Sequence, residues 1–238
     1  MSLSRADELS ERLSAVHRRI DQAVNDSGRG DVPRLIVVTK YFPVEDIRIL
    51  ASLGVTDLGE SRDQEAAAKA QELADFGLRW HFIGQLQTNK ARSVAQYAHS
   101  VHSVDREQLV SALGKAVATR LTDAGPEGTP GLSCFIQVDL SGSGGGAASI
   151  SGHQRGGAAP ADVGRIGRLI DVTEGLTLAG VMAVAPLGKD PAEAFGQLAG
   201  ISTSLRSEFP TASAISAGMS GDLEAAVAAG ATHLRIGS

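Results

Sequence analysis

The chain of 238 residues holds a single cysteine, so no internal disulfide framework staples it, and a reducing compartment suits it. Cys134 lies in the apolar run "SCFIQVDL" and is read as a core residue rather than a nucleophile. The opening segment "MSLSRADELSERLSAVHRRI" carries charges every few residues and lacks the apolar core of a secretory signal. No run approaches the roughly 20 apolar residues of a membrane span. A cytoplasmic protein with no membrane partner is therefore expected. Basic charge is not in excess either. The formal net charge is −5, which gives nucleic acid no general attraction, and Arg18 and Arg19 are expected on a solvated helix face. The glycine-rich stretch 141–161 lacks the G-x-x-x-x-G-K-[ST] phosphate cradle and is expected to be a flexible surface loop. His99 and His102 stand three apart in a predicted strand, should face opposite ways, and so make a poor metal pair. No metal is expected.

What is present is the makings of a sizeable core: 42% of residues are hydrophobic and 21% charged, ordinary for a globular protein. Leu9, Leu13, Val16, Ile20 and Val24 recur at three- and four-residue spacing, which predicts an amphipathic helix over 4–26. Beyond it, short apolar strands alternate with helical segments. Strands are predicted at 35–39, 55–58, 78–84, 99–104, 133–140, 176–184, 213–217 and 232–236. Helices are predicted at 43–53, 61–75, 89–97, 105–121, 160–173, 190–208 and 221–229. Most strands are continuous apolar runs, as parallel strands covered on both faces are. Eight such units in about the length of an α/β barrel predict one α/β domain over 1–238, a (β/α)8 TIM-type barrel with an extra N-terminal helix within 1–30.

In such a barrel the working face lies at the C-terminal ends of the strands. Those ends carry Lys40, Glu60 with Ser61, His81 with Gly84 to Asn89, Met182, Ser216 to Ser220, and Arg235 to Ser238. The strand-seven segment "SAGMSGDLEAAVAAG" is rich in small residues, with Ser220 predicted to cap the next helix and offer an anion site. With "RIGS" after strand eight it predicts a phosphate site. Lys40 at a buried strand tip has two readings. Desolvation lowers an amine's pKa and lets it attack a carbonyl as a Schiff base; alternatively, it pairs with Glu60 or another rim acid. A phosphorylated sugar and pyridoxal 5′-phosphate both fit the first. His81, beside Trp80, is read as a satisfied, semi-buried residue.

In order, the blocks "VVTKYFP", "LGESRDQEAAAKA", "WHFIGQLQTNKAR", "GVMAVAP" and "SAGMSGDLEAAVAAGATHLRIGS" resemble the signature blocks of the pyridoxal phosphate homeostasis proteins, from about residue 8 to 238. The resemblance implies an alanine-racemase-like barrel (fold type III) that carries pyridoxal 5′-phosphate on Lys40 as a Schiff base. It implies buffering and delivery of the cofactor, with pyridoxal-dependent apo-enzymes as recipients and no established turnover. By motif position, Ser216, Gly218, Met219, Gly237 and Ser238 would surround the phosphate, and Arg235 would face the pyridine nitrogen. A monomer is expected. The chain departs from the family at Ser61, where an asparagine is usual, and in the longer loop 141–161. It also stops at "RIGS" where relatives continue, which is expected to remove outer support from the phosphate site. The rival reading is a catalyst: a racemase, for which a second base and an added β domain have no room, or a Schiff-base aldolase, with Glu60 as the nearby acid or base.

Overall fold

Ser4 begins the first helix. Its hydroxyl accepts from the Asp7 N–H at 3.2 Å, and the Asp7 carboxylate accepts from the Ser4 N–H at 3.2 Å. This reciprocal pairing caps α1 (Arg5–Asp26). The computed structural model describes residues 4–124, 131–142 and 156–237; most of the loop predicted at 141–161, and Ser238, lie outside them.

From residue 34 strands and helices alternate: β1 (Arg34–Val38), α2 (Val44–Ser52), β2 (Asp57–Glu60), α3 (Asp63–Glu72), β3 (Arg79–Phe82), α4 (Ala91–Tyr97), β4 (Ala98–Val104) and α5 (Glu107–Ala124). There follow β5 (Leu132–Gln137), α6 (Val163–Asp171), β6 (Leu176–Met182), α7 (Pro191–Glu208), β7 (Ala214–Ser216), α8 (Leu223–Ala228) and β8 (His233–Ile236). Each strand pairs in parallel with the next. β8 closes on β1 with Leu234 opposite Leu35 and Ile236 opposite Val37. The eight-stranded parallel barrel expected from the apolar runs is the observed fold. α1 packs against α8 and α2, over the β8–β1 join.

Outward-facing residues build the shell. Leu58 and Trp80 pack with Ile47 and Leu50 of α2, Ala70 of α3 and Leu73 just after it. Val101, Cys134, Ile136, Val181 and Leu234 join the larger core with Leu109, Ile166 and Leu198. Cys134 is fully buried, and burial pushes its thiol up to about 12, as befits a core residue. The lumen is different: Asp57, His81, Ser100, His102, Ser216 and Arg235 are all buried and hydrogen-bond to one another. His99 does not turn away from His102 as strand alternation predicts. The β3–β4 register shifts between Trp80 and His81, and the His99 and His102 rings both stand beside His81, with centroids 5.6 and 5.3 Å away. Among the described residues, no three His, Cys, Asp or Glu side chains are grouped to hold a metal ion.

One expectation about a helix end fails. α8 starts at Leu223, after Asp222, not at Ser220; the Asp222 carboxylate reaches back to accept from the Met219 N–H at 2.6 Å and closes the turn first. A helix of six residues also has little macrodipole to offer an anion. Arg18 and Arg19 lie on the exposed helix face expected of them; Arg19 also binds the Glu224 carboxylate at 2.8 Å and the Ser220 carbonyl at 3.1 Å there, because α1 lies against α8.

Burial holds His81, His99, His102 and His233 below the ordinary imidazole value, His233 being pushed down to about 4. The unfolded chain therefore takes up protons near pH 6.5 that the folded chain refuses, so stability is full above that pH and is lost as pH falls. The unfolding free energy should fall between pH 7.5 and 5.5 by up to about 1.4 kcal/mol per pH unit for each of the fully buried His81 and His102. A flat profile in denaturant titrations would contradict neutral lumen histidines.

Candidate functional site

The C-terminal strand ends meet at one mouth, and its first residue is Lys40, just beyond β1. Its side chain is exposed and makes no ion pair or hydrogen bond with the described residues. The ammonium lies 6.0 Å from the Tyr41 ring centroid. Two expectations are thereby corrected: Lys40 is not desolvated, and it does not pair with Glu60. The Glu60 carboxylate is turned behind the strand ends, where Oε1 accepts from Thr39 Oγ1 at 2.8 Å and from Lys69 Nζ at 2.9 Å.

Lys69 is the residue that sequence reasoning missed. It reaches in from α3, is buried, and donates three bonds: to the Thr39 carbonyl at 2.8 Å, to Glu60 at 2.9 Å and to Glu65 at 2.6 Å. Glu65 in turn accepts from the Tyr41 N–H at 2.7 Å. The residues on either side of Lys40 are thus pinned from behind, and Tyr41 is held at φ 69, a conformation that side chains other than glycine's adopt rarely. The signal was present as a Glu65–Lys69 pair at helical i, i+4 spacing. Burial pushes the Glu60 carboxyl up, and its Oε2 has no hydrogen-bond partner among the described residues.

Across the β1–β8 join stands Arg235, also buried. It donates from Nη1 to Ser216 Oγ at 2.7 Å and from Nη2 to the Ala183 carbonyl at 2.9 Å. Burial pulls its pKa down to about 10, so the guanidinium stays charged at neutral pH. Ser216 is fully buried, with its hydroxyl shared between Arg235 and His102 Nδ1 (2.8 Å). Gly218 takes φ +91, and a Cβ there would sit 2.6 Å from the Ala226 methyl, so only glycine lets this loop pass. Met219 is partly exposed. Gly237 packs against Val38, the neighbour of Lys40's own turn. Met182 is buried under the mouth, while Ser61, Gln85 and Gln87 line a surface pocket between the ends of β2 and β3.

The mouth therefore combines an unpaired primary amine on a braced turn, a glycine-requiring loop opposite it, and a charged guanidinium with donors to spare. Residues 12–238 match the family described as "Alanine racemase, N-terminal domain". The chain belongs to that family. It is 44% identical over 222 residues to the pyridoxal phosphate homeostasis protein of Corynebacterium glutamicum, covering 92% of this chain and 95% of that protein. Among solved structures it is similar to an unknown protein from Bifidobacterium adolescentis, with TM-score 0.85, 27% identity and coverage of 100% and 96%. PipY of Synechococcus elongatus, solved with PLP bound, aligns at TM-score 0.75 and 29% identity, covering 96% of this chain and 97% of PipY.

Within this family member the brace behind Lys40 has a measurable signature. Lys69→Met should leave two carboxylates without their cation and destabilise the protein by about 3 kcal/mol. Denaturant unfolding checks this, and a loss below about 1 kcal/mol would show that the three bonds do not brace the turn.

Proposed function

We propose that this protein binds pyridoxal 5′-phosphate at the barrel mouth, held as a Schiff base on Lys40, and that it serves cofactor homeostasis by buffering the cofactor and passing it to apo-enzymes in the cytoplasm. The family, the names of its relatives and the PLP-bound structure of PipY support this reading. The observation in this chain that carries it is the exposed, unpaired amine of Lys40 on a turn braced by Lys69 and Glu65. When bound, the cofactor supplies an aldehyde to this amine and an electron-withdrawing ring.

The chain's own residues divide the rest of the work. Gly218, Met219 and Gly237 would form the phosphate end, and Ser238, outside the described residues, follows them in sequence. Ser216, whose hydroxyl is taken up inside the lumen, contributes by holding Arg235. Arg235 would face the ring nitrogen of a bound cofactor. A guanidinium only donates and stays charged, so its partner must be the unprotonated, accepting nitrogen. A carboxylate at that place would keep the nitrogen protonated and the ring a strong electron sink. With arginine there the ring would stabilise a carbanion weakly, and a racemase with that arrangement needs additional well-placed bases, which supports the carrier reading. The aldolase alternative loses its acid–base group, since Glu60 is turned away onto Lys69 and Thr39.

Borohydride reduction of the cofactor-loaded protein followed by peptide mapping should place the pyridoxyl group on Lys40. Finding it on Lys90 or another lysine, or nowhere, sinks the assignment. Arg235→Glu should shift the absorbance of the bound cofactor, and the parent protein should racemise alanine and serine no faster than free cofactor does. Robust turnover by the parent would overturn the carrier reading.

A further inference from the structure

The polar residues of the lumen form one continuous line. His81 Nε2 lies 2.8 Å from Asp57 Oδ1, and His81 Nδ1 lies 2.7 Å from Ser100 Oγ. Ser100 Oγ lies 2.9 Å from His102 Nε2, His102 Nδ1 lies 2.8 Å from Ser216 Oγ, and Ser216 Oγ lies 2.7 Å from Arg235 Nη1. Asp57 begins β2, at the end of the barrel opposite the mouth, where Arg79 grips it with bonds of 2.8 and 2.6 Å. Arg235 and Ser216 stand at the mouth. All six residues in the line are buried.

The two ends dictate where every proton in between must lie. A carboxylate only accepts, so His81 Nε2 carries a proton and His81 Nδ1, in the neutral ring, must accept. A guanidinium only donates, so Ser216 Oγ accepts from Arg235 and turns its own proton to His102 Nδ1. His102 then carries its proton on Nε2, donates to Ser100, and Ser100 donates to His81. The opposite tautomer of His102 would set two bare nitrogen lone pairs 3.2 Å apart, His81 Nδ1 against His102 Nε2, in a dry lumen. One arrangement satisfies every group. Burial keeps both rings neutral: it lowers His81 below the ordinary imidazole value, and His102 well below it. The other titratable groups around the pair are His99 beside His81, His233 with its ring centroid 6.3 Å from that of His102, and Arg34 and Arg79 at Asp57; Phe135 stacks on His102 at 4.1 Å.

We propose that Asp57, His81, Ser100 and His102 form a one-way hydrogen-bond chain through the barrel that acts through Ser216 to orient Arg235, making them positioning residues for the mouth from its far end. Aligned donors polarise one another, so the chain links the negative charge of Asp57 to the positive charge of Arg235 through five bonds. It commits the Ser216 proton inward, leaves Ser216 as an acceptor for Arg235, and so frees the remaining guanidinium donors to face the mouth. That last step rests on the reading of Arg235 as the partner of the cofactor ring; the chain itself does not.

The decisive measurements are made on the cofactor-free protein. Long-range proton–nitrogen NMR should show His81 and His102 both neutral at pH 7 with the proton on Nε2. An imidazolium, or a proton on Nδ1, at either ring overturns the chain. Ser100→Ala removes one hydroxyl in mid-lumen and touches nothing at the mouth. It should speed solvent exchange of the Arg235 Nη1 protons roughly tenfold, whereas Val101→Ala, which opens the outer core on the same strand, should leave that exchange unchanged. Equal exchange in parent and Ser100→Ala, or equal acceleration in both variants, overturns the coupling. In cofactor-loaded protein Ser100→Ala should also shift the absorbance maximum, with Val101→Ala again silent. If the parent takes up no cofactor, the proposed function fails while the cofactor-free measurements still judge the chain.

Discussion

The bond from Lys69 to the Thr39 carbonyl decides where the first strand stops and how the backbone turns beyond it. A buried ammonium must have acceptors for all three of its protons, and the three that Lys69 finds are a backbone carbonyl and two carboxylates. Because one acceptor is the carbonyl before Lys40 and another, Glu65, accepts from the N–H after it, satisfying Lys69 fixes the backbone on both sides of Lys40. The turn then emerges with Tyr41 at positive φ and Lys40 pointing into solvent. The lysine in the mouth is free because the lysine behind it is not.

The same rule of complete satisfaction governs the lumen. Barrels of this kind usually fill their interior with layers of branched apolar side chains. Here two neutral histidines, two serines, a carboxylate and a guanidinium occupy that space, and they do so without an unpaired nitrogen in either ring of the line. The arrangement depends on closure of the sheet. His81, His102 and Ser216 come from β3, β4 and β7, and Arg235 from β8, so no two adjacent strands could assemble the line by themselves.

That dependence explains what the sequence made legible. The apolar runs 35–39 and 176–184 read directly as buried parallel strands, and the leucine stripe of 4–26 as a helix, because both patterns follow from local periodicity. Lys40, Gly218 and Arg235 were legible as residues of the barrel mouth through their place at strand ends, where the structure puts them. Lys69 sat in plain view in "QEAAAKA" as a helix-surface lysine, and nothing local says that α3 turns it inward. His99 and His102 were assigned to opposite faces by simple alternation, which a shifted β3–β4 register undoes. Ser220 was a good cap by residue type, yet α8 starts after Asp222, whose carboxylate accepts from the Met219 N–H. The Lys69 and His99 misses concern partners supplied by other elements, whereas the Ser220 miss is a local competition within one turn.

Arg235 joins the two networks to one chemical outcome. Among the described residues the buried Arg235 guanidinium has no carboxylate in direct contact; its charge is met by two good acceptors, Ser216 Oγ and the Ala183 carbonyl, and burial disfavours a second charge on its nearest histidine. Were His102 protonated, two like charges would share Ser216, and the cheapest response would be to turn the guanidinium away. A neutral His102 is therefore a condition for Arg235 to face the mouth, and burial supplies that condition without any acid beside it. On the opposite rim, Glu60 and Glu65 are both tied to Lys69, which removes the acids closest to Lys40 from proton transfer. Under the proposed function, an exposed amine, a buried charged guanidinium and neighbouring acids already engaged would suit holding a carbonyl cofactor more than processing a substrate on it.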